Sequence, residues 1–95
     1  MKYYVYVLLS KRDGYFYTGF TTDLNKRIEE HNIGNVPSTK LRIPFELVYF
    51  EGCFDKKDAL NREIYLKTTY GKRYIRNRLK NFLNSKEKLF HRVQG

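Results

Sequence analysis

Two helical segments of this 95-residue chain put charge where packing calls for hydrocarbon. Between Leu24 and Asn32 the spacing i, i+3, i+4, i+7 defines an inward stripe of Leu24, Arg27, Ile28 and His31. A guanidinium and an imidazole thus sit one turn apart on the face that should meet the core, and together they suit an anion. Singly, each has a plain structural account: Arg27 snorkels from the edge of the stripe, and His31 caps the last turn. Between Lys56 and Thr68 the expected apolar positions are Ala59, Leu60, Ile64 and Leu66, and Glu63 lies among them. A carboxylate on a buried face is costly unless it meets a cation, a metal or several donors. One reading makes Glu63 a ligand of a hard divalent cation, which one carboxylate can hold together with waters and phosphate oxygens. The other pairs it with Lys67 one turn on, or with an arginine at the core edge. The third chemical group is phenolic. Tyr3, Tyr4, Tyr6, Tyr15 and Tyr17 crowd the most apolar stretch, and each buried hydroxyl needs a partner or a job.

The elements that would position these groups follow from local pattern. Tyr3 to Leu9 lacks polar alternation and reads as a central strand covered on both faces. Asp13-Gly14 is a hairpin-turn signal leading into a second strand at Tyr15 to Phe20. With those two residues as the turn, opposed positions sum to 27, and Tyr4 and Tyr6 share a face with Tyr17 and Gly19. Thr21-Thr22-Asp23 caps the first helix, which ends at Gly34. A loop from Asn35 to Pro44 carries Lys40 and Arg42, and Phe45 to Phe50 forms a third strand. Asp55 caps the second helix, and Tyr70-Gly71 is expected to break it. A third helix then runs from Lys72 to about Asn84. Ile75, Leu79, Phe82 and Leu83 form its apolar positions, and Lys72, Arg73, Arg76 and Lys80 crowd the outer face. The expected fold is α/β of the α+β kind: a small three-stranded, mostly antiparallel sheet flanked by three helices in the order β-β-α-β-α-α. One domain covers residues 1–83, with a basic tail over 84–95.

Composition supports a packed domain, with 41% hydrophobic and 17% aromatic residues. No run of about eighteen apolar residues exists, and the start of the chain lacks a signal-peptide pattern. The single cysteine, Cys53, excludes an internal disulfide and a cysteine zinc cluster, and fits a reducing cytoplasmic setting. The formal charge of +9 is uneven. From Thr68 to Gly95 there are eight basic residues and one acidic, whereas Met1 to Lys67 carries eleven and nine. A basic C-terminal third interleaved with Tyr70, Tyr74, Phe82 and Phe90 suggests a polyanion, nucleic acid first, against the alternative of a solubilising surface. Membrane contact ranks lower, because the basic helix has a sheet to pack on.

In order along the chain, Tyr4-Val5-Tyr6, ten residues, Tyr17-Thr18-Gly19, Arg27 and His31 on the next helix, and Glu63 on a later one resemble the GIY-YIG endonuclease domain. The resemblance covers about Lys2 to Leu83 and is nearest to small stand-alone, single-domain bacterial members (URI domain type). It implies hydrolysis of a nucleic-acid phosphodiester, DNA rather than RNA, with one divalent ion, Mg²⁺ or Mn²⁺, and no small-molecule cofactor. By position it implies Tyr6 as base or base-orienting group supported by Tyr17, Arg27 on the scissile phosphate, His31 assisting, and Glu63 on the metal. Lys40, Arg42, Lys72, Arg73, Arg76 and Lys80 would contact nucleic acid. The first triplet has Tyr4 for glycine and the second Thr18 for isoleucine. The family's late asparagine has a match in Asn77, and its loop histidine is replaced by Thr39 or Lys40. No separate DNA-binding domain is visible, so targeting falls to the basic helix or to a protein partner. Two rival functions stand beside the nuclease: a non-catalytic nucleic-acid-binding module, and a protein-interaction scaffold on the same frame.

Overall fold

A computed structural model of the chain describes residues 2–86. Strands β1 (Tyr3–Ser10), β2 (Phe16–Thr21) and β3 (Phe45–Cys53) form one antiparallel sheet in the order β2-β1-β3. Helix α1 (Leu24–Asn32) joins β2 to a loop closed by a one-turn 3-10 helix at Lys40–Arg42, and β3 leads into α2 (Lys56–Leu66) and α3 (Thr69–Arg78). The predicted α+β frame is the observed one. Contacts divide the chain into two compact units, 1–64 and 65–95.

In the first unit β1 is central, and Val5, Tyr6, Val7 and Leu8 are all buried. Its even face builds the main core: Tyr6, Leu8 and Phe45, packed against Tyr17, Leu24, Ile28, Ile43 and Leu47. The hairpin differs from the two-residue turn expected. Opposed residues sum to 25, as in Tyr6 with Gly19 and Leu8 with Tyr17, so Lys11 to Gly14 form a four-residue loop. Lengthening the loop by two keeps the parity, so Tyr6 and Tyr17 still share a face. The loop is made by polar groups that a local pattern does not reveal. Ser10 Oγ accepts from the N–H groups of Arg12 and Asp13 and donates to the Arg42 carbonyl at 2.6 Å. Arg42 in turn donates to Asp13 at 2.6 Å and to the carbonyls of Tyr15 and Phe16. Gly14 at φ 75° supplies the left-handed residue the loop requires.

Helix α1 has the expected bounds, with Asp23 accepting from the Lys26 N–H as N-cap and Gly34 at φ 84° just past its end. Asn32 ties its last turn to the sheet by donating to the Phe45 carbonyl and accepting from the Phe45 N–H at 3.1 and 2.7 Å. Helix α2 starts on Asp55, whose carboxylate accepts from the Lys57 and Asp58 N–H groups. Its buried positions are Ala59 and Leu66, seven apart, which places Glu63 on that face but turns Ile64 outward at 65% exposure. Ile64 therefore does not belong to the apolar stripe. Tyr15, one of the five tyrosines of the apolar stretch, is 66% exposed beside the hairpin loop.

In the second unit the break between helices falls at Lys67-Thr68, not at Tyr70-Gly71. Thr68 is the N-cap of α3, accepting from the Gly71 N–H at 3.1 Å. Gly71 lies inside the helix because a Cβ there would overlap the Tyr65 carbonyl and the Leu66 backbone. Ile75 is buried, while Lys72, Arg73, Arg76, Asn77 and Lys80 are exposed. The Arg73 guanidinium lies over the Tyr70 ring at 5.7 Å. After a turn at Leu79 the chain is helical again over 80–86. Most of the expected tail, 87–95, lies outside the described residues. No helix among the described residues is long and apolar enough to cross a membrane.

Candidate active site

Tyr6 occupies the centre of the sheet and is 1% exposed. Its phenol lies flat over its cross-strand partner Gly19, where any Cβ would overlap the hydroxyl and the ring. Glycine is thus required at position 19 by the close approach of Tyr6, not by its backbone angles. The hydroxyl reaches past β2 to His31 Nε2, at 2.8 Å. His31, fully buried at the end of α1, presents Nδ1 to Thr39 Oγ1 at 2.9 Å. The Tyr17 ring meets the imidazole edge-on at 5.0 Å, and the neighbouring Phe45 ring does so at 5.9 Å. This aromatic box has weight in the electrostatics. Burial, and then the nearby Arg27 charge, push His31 down to about 4, so the imidazole is neutral at physiological pH.

Arg27, one turn before His31, donates to Glu30 at 3.2 Å, and its charge lies close enough to the Tyr6 hydroxyl to act on it. Its side chain is 34% exposed and lines an open cleft of about 520 Å³ with Phe20, Thr21, Thr22, Asp23, Lys26 and Glu30. The cleft therefore has Arg27 at its wall, and the same guanidinium acts electrostatically on the buried Tyr6. Burial is the main reason the phenol is pushed up to about 12, against the lowering effect of Arg27. Tyr17 and, least, the Glu63 carboxylate also raise it.

Of the residues expected at the site, Tyr6, Tyr17, Arg27 and His31 come together directly, and Glu63 is near enough for its charge to act on Tyr6. Arg42 does not join them. Its donors are committed to Asp13 and two hairpin carbonyls, and it holds the Asp13 carboxyl down at about 2. Lys40 is exposed on the 3-10 helix, and the α3 cations and Asn77 belong to the second unit. Thr39, Gly19 and Asn32 are positioning groups for which sequence reasoning found no such role: Gly19 stood only as a motif residue, Thr39 only at the place of the family's loop histidine, and Asn32 not at all.

No group of three or more His, Cys, Asp or Glu residues able to hold a metal exists among the described residues. The donor set suits a hard cation held by the single carboxylate of Glu63 and completed by waters and phosphate oxygens. It does not suit a zinc site.

Comparison with known proteins bears on this arrangement. The GIY-YIG catalytic domain model matches residues 2–80. The chain is 46% identical over 68 residues to UPF0213 protein SSP2268 of Staphylococcus saprophyticus, covering 70% of this chain and 82% of that protein. It is 48% identical over 65 residues to UPF0213 protein CPE1444 of Clostridium perfringens, covering 67% and 69%. The solution NMR structure of UPF0213 protein BH0048 from Bacillus halodurans superposes with a TM-score of 0.51 at 37% identity, covering 79% of this chain and 82% of that one. GIY-YIG domains are generally endonucleases, while the names of these relatives state no activity. By sequence, by fold and by the tyrosine pair set over Arg27 and His31, the chain belongs to the GIY-YIG family.

Proposed function

We propose that this protein is a divalent-metal-dependent endonuclease that hydrolyses nucleic-acid phosphodiester bonds, with DNA as its substrate. One observation carries the reading: a buried phenol hydroxyl bonded to a neutral imidazole, within reach of the charge of a guanidinium that faces an open cleft. A module that only binds a polyanion needs exposed cations, not a phenol bonded to a neutral imidazole.

Each residue's task follows from its surroundings. Arg27 has charge, cleft access and an exchangeable partner in Glu30, so a phosphate oxygen can replace that carboxylate. Moving outward onto phosphate, Arg27 uncovers Tyr6 to an attacking water. A phenol near 12 is ionised in about one molecule in 10⁵ at pH 7, a barrier of about 7 kcal/mol if free tyrosinate were needed. His31 removes that need. As water gives its proton to the Tyr6 oxygen, the phenolic proton passes to the imidazole 2.8 Å away. Transfer of the Arg27 charge to phosphate also relieves the second cause of the low His31 basicity. Tyr17 holds the imidazole plane by its edge contact. Glu63 would hold the Mg²⁺ or Mn²⁺ ion, which when bound offsets charge on the phosphate and the leaving oxygen.

Lys40, Lys72, Arg73, Arg76 and Lys80 supply backbone contacts, and Asn77 a supporting one. The working domain spans 1–83 with 84–95 as a basic extension, acting in the cytoplasm, where the lone Cys53 stays reduced. A protein partner supplies any targeting beyond that basic surface. The test is a cleavage panel of duplex, flap, junction and single-stranded DNA with Mg²⁺, Mn²⁺ or EDTA, run beside Glu63→Ala. Nicking that needs metal and vanishes in a folded Glu63→Ala supports the assignment. Salt-sensitive binding without cleavage of any substrate would replace it with a binding module, and salt-insensitive or absent binding with a protein scaffold.

A further inference from the structure

The Tyr6–His31 contact belongs to a longer chain of buried polar groups, and the chemistry at its far end fixes its direction. That end is the Val36 carbonyl, 3.4 Å from Thr39 Oγ1, which can only accept. Before it lie three groups with one transferable proton each: the Tyr6 hydroxyl, the neutral His31 ring and the Thr39 hydroxyl, all buried. Because Thr39 gives its one proton to the Val36 carbonyl, its oxygen must accept from His31 Nδ1–H. A neutral imidazole that carries its proton on Nδ1 has a bare Nε2. Nε2 must then accept from the Tyr6 hydroxyl, 2.8 Å away. Every polar group is satisfied in this direction, in keeping with the absence of unpartnered buried side-chain polar atoms among the described residues.

We propose that Thr39 is a positioning residue that holds His31 as the Nδ1–H tautomer, leaving Nε2 free to take the Tyr6 proton. Its catalytic consequence rests on the nuclease reading above; the tautomer itself does not. The hydroxyl is specific in this role, because the Nδ1–H needs an acceptor that itself owns a proton for the carbonyl beyond. Valine has the same shape and neither capacity. Serine keeps both. The loop from Ile33 to Thr39 can thus be read as the support that sets which nitrogen of His31 works.

Long-range ¹H–¹⁵N spectra of metal-free protein report the tautomer directly, with His91→Gln removing the other imidazole signal. The expected wild-type spectrum shows a protonated Nδ1 and a bare Nε2. Wild-type His31 found as Nε2–H overturns the proposal without any further variant. Thr39→Val should introduce the Nε2–H form and slow single-turnover cleavage about 10- to 100-fold at unchanged KM, as for loss of a partner that orients a histidine. Thr39→Ser should restore both. A Thr39→Val spectrum identical to wild type, or a serine variant as impaired as valine, overturns the assignment. If no cleavage occurs but the spectra behave as expected, the nuclease reading fails and the role of Thr39 in holding the tautomer stands.

Discussion

Two arginines of the first unit are similarly exposed, Arg27 at 34% and Arg42 at 27%, yet they sit in regions built for opposite ends. Arg42 is saturated. Its guanidinium bridges Asp13 and the carbonyls of Tyr15 and Phe16, and it lies over the Phe45 ring at 5.5 Å. A ligand would have to break a fixed set of bonds to claim it. Arg27 makes one bond along its own helix, to Glu30, at the wall of an open cleft. An incoming phosphate would have that one bond to replace. Positive charge on the surface therefore does not mark a site by itself; a guanidinium with an exchangeable partner is the better candidate.

Substitution can break that contrast. The largest effect is expected at Arg27. Arg27→Ala should lower cleavage by about 10³-fold, as for loss of a group that stabilises transition-state charge, while changing stability by less than about 1 kcal/mol. Next is the imidazole behind it. Unfolded His31 takes a proton near 6.5 and folded His31 only near 4, so between these values the unfolded state binds more protons and stability falls as pH is lowered. Denaturation at pH 7 and pH 4 should differ by about 3 kcal/mol from this group, and His31→Gln should flatten that slope. Arg42→Ala reverses the Arg27 pattern: a stability loss of about 1–3 kcal/mol through the opened hairpin loop, with cleavage by the folded fraction unchanged. The smallest effects belong to single cations of α3. Lys72→Ala or Arg76→Ala should weaken nucleic-acid binding modestly and lower the salt slope by about 1 for each phosphate that is no longer neutralised.

The contrast also shows what a sequence reveals. Helix α1 was legible to the residue because capping, periodicity and the glycine stop all agree on it. The shared face of Tyr6 and Tyr17 was legible because strand parity survives any even change in loop length. The register was not, since the partner that holds the four-residue loop, Arg42, lies 29 positions beyond Asp13. The commitment of Arg42 to the hairpin loop was hidden for the same reason. On α2 the helical phase was misjudged by a residue at Ile64, yet Glu63 kept its place because burial at Ala59 and Leu66 brackets it. Gly71 reads as a helix breaker by propensity, whereas close backbone packing demands it inside a helix. Thr39 stood out only as a replacement for the family's loop histidine, because a threonine in a loop is ordinary until a buried nitrogen is found against it. Local rules thus locate the candidate site groups, and long-range contacts decide the groups that hold them.

Tyr6→Phe tests the centre of the account most directly, because it deletes one oxygen and keeps the ring over Gly19. Single-turnover cleavage of end-labelled DNA in Mg²⁺ or Mn²⁺ should fall by about 10²- to 10⁴-fold, with DNA affinity unchanged and stability lower by about 1–3 kcal/mol for the His31 nitrogen left unpartnered. Cleavage by folded Tyr6→Phe at the wild-type rate would contradict it.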